Sequence, residues 1–273
     1  SAPRSLGAPR SLAALLALLA LLLTLVGCPT ETPPGEPTPA PPAFPSLMVA
    51  PAHKPVILAR LDREPYITVL ADIQATAEQA YEADDPQAWD HEINGRNAQR
   101  AQAHAFLAWL FDDPAEAEAA VQGFATLGDH WDTNGVWDIN IRMPHTLLGF
   151  VNALDLLRGT PWLPAEAEEA LSRTLLSITG QLYEQFLLNE GVRALVMGPS
   201  QNNHPIRTAA AIGYVALAFP QEARAQEWAD WAFSELDYLW GPDGRYVQAD
   251  GVVSEGPFYF GFAWGVSAAL FIA

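Results

Sequence analysis

A chain of 273 residues, half of them hydrophobic, has material for one large core or two small ones. Its formal net charge of −18, with no basic tract, excludes a nucleic-acid partner, because phosphate binding needs a basic surface. A single cysteine excludes a disulfide framework.

The chain opens with a positive stretch carrying Arg4 and Arg10, then "LAALLALLALLLTLVG" runs from Leu12 to Gly27 without a charge. This is the pattern of a secretory signal peptide over residues 1–27, too short and wrongly flanked for a transmembrane helix. The run ends in "LVGC", Leu25 to Cys28, which resembles the lipobox of bacterial lipoproteins. That resemblance implies lipidation of Cys28, a membrane anchor, and a place in the bacterial cell envelope. "PTETPPGEPTPAPPAFP" follows, proline-rich and without apolar periodicity. It reads as an extended tether, so residues 28–50 are expected to be linker and 51–273 the folded domain.

From about Pro65 onward apolar residues recur at three and four, as in "YITVLADIQATAEQAY" and "HTLLGFVNALDLL". The spacing predicts helices at 66–83, 95–111, 114–128, 144–158, 164–188, 204–219, 221–240 and 257–271. Three of them start on Pro followed by acids: "DDPAEAEAA", "WLPAEAEEA" and "FPQEARAQEW". Pro at a first helical position loses no hydrogen bond, and acids suit the positive helix end. Alanine-rich, acid-led helices suit a solvated outer layer. They alternate with helices entered from polar, aromatic stretches: "WDHEINGRN", "WDTNGVWDINIRMPH", "MGPSQNNHP" and "DGVVSEGPFYFGF". The fold class expected is all-α, an incomplete (α/α) toroid of helical pairs with the unusual loops at one end. The abrupt ending "GVSAALFIA" is expected to mark truncation before a further, C-terminal β-sandwich domain.

Two clusters carry the chemistry. "PSQNNHPIRTAAAIG", Pro199 to Gly213, sets Asn202, Asn203 and His204 in front of a proline and an apolar helix. Helix capping by Asn203 explains one of these residues and leaves the others unexplained. "DGVVSEGPFYFGFAWG", Asp250 to Gly265, places Glu255, Tyr259, Phe260, Phe262 and Trp264 within ten residues. "NNH" opening one helix and "EGPFYFGF" about fifty residues later resemble the α/α-toroid polysaccharide lyases, especially the heparinase II/III-like and alginate-lyase families. The likeness is strongest from Met197 to Trp264. It implies that Asn203 and His204 neutralise a uronate carboxylate, with His204 also a possible base, and that Tyr259 takes or delivers the proton. Phe262 departs from the pattern, which commonly has a second tyrosine there.

The residue types fit the chemistry. A lyase removes the C5 proton of a uronic acid and expels the oxygen at C4. Amide and imidazole donors on the adjacent carboxylate stabilise the charge that develops there. Asn202, Arg207, Arg142, Trp137, Arg245 and Glu255 are the expected substrate-binding residues, and His145 can line the same cleft. The arginines would also lower the phenol of Tyr259 from its ordinary value of about 10. The implied partner is an acidic, uronate-containing polysaccharide, at odds with the net charge unless the cleft is locally basic. No cofactor is expected. No metal is expected either, since His91 beside Glu92 lacks any recognised ligand spacing. Two alternatives stand beside the lyase. One is a toroidal glycoside hydrolase pairing Glu255 with Asp250 or Asp138. The other is a non-catalytic glycan-binding lipoprotein.

Overall fold

A computed structural model of the chain describes residues 44–82, 92–127, 143–188, 203–241, 246–248, 250–267 and 270. The signal-peptide segment, Cys28 and the tether up to residue 43 lie outside the described residues, as do Trp137, Arg142, Asn202 and Arg245. The described chain is all-α. Its helices are α1 (His53–Leu58), α2 (Tyr66–Ala77), α3 (Glu92–Phe111), α4 (Pro114–Phe124), α5 (Met143–Leu157), α6 (Ala165–Leu188), α7 (Asn203–Ala218), α8 (Ala225–Trp240) and α9 (Pro257–Ser267). Among the described residues the only β-pairing is an isolated antiparallel bridge, Val247 to Val253.

Burial separates two kinds of helix. In α5 every residue from Met143 to Leu157 except His145 is buried, and in α7 all but His204 and Leu217 are. A helix buried on all sides sits inside a layer of others. By contrast α8 buries Ala225, Trp228, Ala232, Leu236 and Leu239, a single stripe at three- and four-residue spacing. α4 likewise buries only Ala117, Ala120, Gly123 and Phe124. The contacts follow this division. α3 packs on α5, α5 on α7 and α7 on α9, while α4 covers α3 and α8 covers α7. Of the helices entered from the unusual loops, α5 and α7 are therefore inner ones, while α9 leaves Phe260 and Trp264 exposed.

The inner helices pack closely and run parallel. A Cβ on Gly149 of α5 would lie 2.7 Å from the Cβ of Ala98 on α3. Three residues earlier on both helices, Gly95 faces Thr146, so the register is constant. His145 meets Arg207 near the starts of α5 and α7, and Arg158 meets Ala218 near their ends. Parallel packing brings the first turns of α3, α5 and α7 to one end of the array.

Local chemistry sets the helix boundaries. Asp113 accepts hydrogen bonds from Ala115 N (2.8 Å) and Glu116 N (3.4 Å) ahead of Pro114, which caps α4. Arg158 closes the opposite end of the inner helices. It donates to the carbonyl of Ala218 (2.6 Å) and to Glu168 (2.9 Å) and lies over the Phe219 ring. A cation there meets the negative end of α7.

Several expectations differ from the structure: α2 ends at Ala77 rather than 83, and α4 at Phe124 rather than 128. α8 begins at Ala225 rather than 221, because Glu222 N and Ala225 N bond carbonyls three residues back and make successive turns. α1 is a helix where none was expected. Pro55 is the third residue of α1, where no intrahelical bond is lost. The packed chain also begins earlier than residue 51. Asp155, 2% exposed, accepts Ser46 N (2.8 Å), Leu47 N (2.9 Å) and the Ser46 hydroxyl (3.1 Å), and Leu47 is buried. These bonds hold the end of the expected tether against α5.

Candidate active site

The first turn of α7 carries Asn203, His204 and Arg207. Asn203 is 3% exposed and its side-chain amide nitrogen donates to both oxygens of Glu255, at 3.1 and 3.0 Å. The two oxygens of a carboxylate subtend only about 40° at a nitrogen 3 Å away, while the two N–H bonds diverge by about 120°. One N–H therefore serves Glu255 and the other points elsewhere. The opening motif and the "EGPFYFGF" motif thus meet at a hydrogen bond.

Glu255 stands two residues before α9, in a short ordered turn. Gln248 N bonds Val252 O (2.7 Å) and Ser254 N bonds Tyr246 O (2.9 Å) around Asp250 and Gly251. Gly251 and Gly256 have φ of +85° and +84°, which suits glycine and brackets Glu255 with two sharp changes of direction. Asp250 accepts from Val252 N (3.1 Å), so its side chain belongs to its own turn.

Tyr246 is the residue that sequence reasoning missed. It is 1% exposed and hydrogen-bonded to Glu255. Burial, and then the charge and hydrogen bond of Glu255, push its phenol well above the usual range. It therefore remains protonated and donates to Glu255. Trp240 packs edge-on against its ring, with centroids 5.3 Å apart. The signal available in sequence was the short alternation "YVQADGVV", which puts Tyr246 beside the bridged turn leading to Glu255.

Arg207 is 7% exposed and its guanidinium lies 2.8 Å from His145 Nε2. Arginine stays protonated, so it must be the donor and Nε2 the acceptor. His145 is then neutral in this contact, with its proton on Nδ1. The pair joins the starts of α5 and α7, and brings the end of the "WDTNGVWDINIRMPH" motif to the site. His204 is half-buried. Burial first, and then the Arg207 charge, push its imidazole down to about 4. Near neutral pH it is an uncharged ring.

Tyr259 is the third residue of α9, whose first turn adjoins that of α7 through Glu255 and Asn203. Of the expected site residues, the structure brings Asn203, His204, Arg207 and Glu255 together, with Tyr259 on the adjoining turn. Glu255 differs from its expected part as a substrate contact, because its carboxylate is engaged by Asn203 and Tyr246. Among the described residues no group of three or more His, Cys, Asp or Glu side chains is placed to hold a metal ion.

No family model matches the sequence. No curated protein matches it either.

Proposed function

We propose that the chain is a polysaccharide lyase that cleaves a uronate-containing glycan by β-elimination. The observation that carries this reading is the contact of Asn203 with Glu255, which unites the two motifs at the entrances of the adjoining helices α7 and α9. The alternation of inner and outer helices supports an incomplete (α/α) toroid as its scaffold. A lipid anchor at Cys28 would hold the enzyme on the cell envelope, with an acidic polysaccharide as its partner.

In this reading the N–H of Asn203 not used by Glu255 donates to the uronate carboxylate. Neutral His204 gives a second hydrogen bond. Arg207, held by His145, adds positive charge behind them without being displaced into solvent. Together they stabilise the negative charge that enters the carboxylate as the C5 proton leaves. The C5–H electron pair forms the C4–C5 double bond and the C4–O bond breaks. An imidazole held near 4 is a weak base, so Tyr259, as its phenolate, takes the C5 proton and delivers it to the departing oxygen, which regenerates the phenolate. Glu255 positions Asn203 from behind, while Tyr246 spreads its charge through a second hydrogen bond.

The test is to incubate the protein with uronate-containing polymers and follow ultraviolet absorbance and reducing ends together. Elimination gives both signals, because it leaves a conjugated unsaturated uronyl end. Reducing ends without absorbance would replace this reading with hydrolysis.

A further inference from the structure

The segment leading into the fold presents apolar side chains to solvent. Helix α1 buries none of its residues. Ile57 and, one turn on, Leu61 pack against the core. Residues step about 100° around a helix, so Pro55 and Ala59 lie opposite Ile57, with Val56 and Leu58 on the flanks. All four are exposed, Val56 at 47% and Leu58 at 40%. The outward side of α1 is thus apolar. Lys54 reaches Asp112 (2.7 Å), which adds the neighbouring Phe111, 44% exposed, to the same region.

Cations rim this side. Residues 53–63 hold Lys54, Arg60 and Arg63 against one acid, Asp62, in a chain of net charge −18. Arg60 donates to the Tyr66 hydroxyl (2.8 Å), which keeps it beside the end of α1. Acids stand nearby as well: Asp112 is paired with Lys54, and Glu64 accepts from the Thr68 hydroxyl. Apolar contact is therefore the larger attraction and charge the smaller. A phospholipid surface answers both, with its acyl boundary for the apolar side chains and its phosphates for the cations.

The place of α1 in the fold fits that partner. Asp112 follows the last residue of α3. Asp155, which holds Ser46 and Leu47, lies ten residues after His145, about 15 Å along α5. α1 therefore sits at the finishing ends of α3 and α5, and the candidate site at their starts. The proline-rich stretch between Cys28 and residue 44 can span about 50 Å when extended, so a lipid on Cys28 would leave α1 within reach of the same bilayer.

We infer that α1 docks on a phospholipid bilayer. Val56, Leu58 and Phe111 enter the boundary between headgroups and chains, and Lys54, Arg60 and Arg63 lie against the phosphates. The candidate site then opens away from the membrane. The docking rests neither on the lyase reading nor on lipidation of Cys28.

The experiment uses the whole chain with Cys28→Ser, which removes the lipidation site and the one native thiol. An environment-sensitive dye is attached through Val56→Cys or, separately, through Tyr238→Cys. Tyr238 is 53% exposed on α8, two residues before the Trp240 that packs on Tyr246 at the site end. Vesicles of phosphatidylcholine and phosphatidylglycerol are then added. The dye at position 56 should brighten and shift to the blue, and the dye at 238 should not. Each dye reports only its own surroundings, so attachment through the apolar run Leu12–Gly27 changes neither. Leu58→Asp should lower the ratio of docked to free α1 about tenfold, and Arg63→Ala about fivefold. An unchanged dye at position 56 overturns the proposal. So do equal changes at both positions, or a change at 56 that survives both variants. Brightening without lipid that grows with protein concentration also overturns it, in favour of a second copy of the chain.

Discussion

Asn203 and Glu255 stand 52 residues apart in the chain, and the amide of one donates to both oxygens of the other at 3.1 and 3.0 Å. The contact fixes the rotamer of Asn203 and leaves one N–H directed away from Glu255. Removing that donor tests its part in the reaction. Asn203→Ala should lower kcat roughly 100- to 1000-fold, as for other donors aimed at a developing oxyanion. The steady-state rate of absorbance change measures it.

Glu255 should separate positioning from charge. Glu255→Gln keeps an oxygen for Asn203 and removes a negative charge beside the proposed uronate substrate. KM should fall or hold, with kcat within about tenfold of the parent. Glu255→Leu removes the acceptor and frees Asn203 to turn, so kcat should fall about 100-fold. Equal kinetics for the two variants would refute a positioning role.

The stability of the chain should depend on pH through His204. The unfolded imidazole titrates near 6.5, while the folded one is held near 4. The unfolded chain therefore takes up its proton first. This contribution is fully present above about pH 6.5 and is lost as pH falls towards about 4. Urea midpoints near pH 7 and near pH 5 should differ in the parent and differ less in His204→Gln. Arg207→Met removes the nearby charge and should raise the His204 value, as a histidine NMR titration reads directly.

Asp155 should be a stability determinant independent of activity. Its carboxylate takes two backbone N–H groups and a hydroxyl in a nearly sealed position. Asp155→Ala leaves those donors unmatched and should cost about 3 kcal/mol in chemical denaturation.

The crossing of α3 and α5 should tolerate no added methyl group. A Cβ on Gly149 would meet Ala98 at 2.7 Å, and the atoms at about 3.0 Å behind it are backbone. Gly149→Ala should therefore destabilise the chain by about 1–3 kcal/mol despite its better helix propensity. Thermal unfolding reads the effect, and a neutral outcome would show that the helices separate easily.

Much of this fold was legible because each helix carries its own periodicity and starting signal. Asp113 and Pro114 start α4 where the sequence places it, and the buried stripe of α8 follows its apolar residues. The Pro-led start of α8 misled because successive tight turns delay the helix to Ala225. The site was legible only in pieces. The two motifs announce themselves, but the pairing of Arg207 with His145 spans 62 residues and depends on the register between α5 and α7. Tyr246 directly follows Arg245, but that neighbour does not show that the phenol meets Glu255. Its role arises from the turn that folds it back towards Glu255.

The most direct test is a paired measurement on the parent and Asn203→Ala, with a uronate-containing polymer as substrate. The parent should release reducing ends and unsaturated uronyl absorbance in equal amounts, and the variant should lose both together. Reducing ends without absorbance, or absorbance that survives Asn203→Ala undiminished, would contradict elimination at this site.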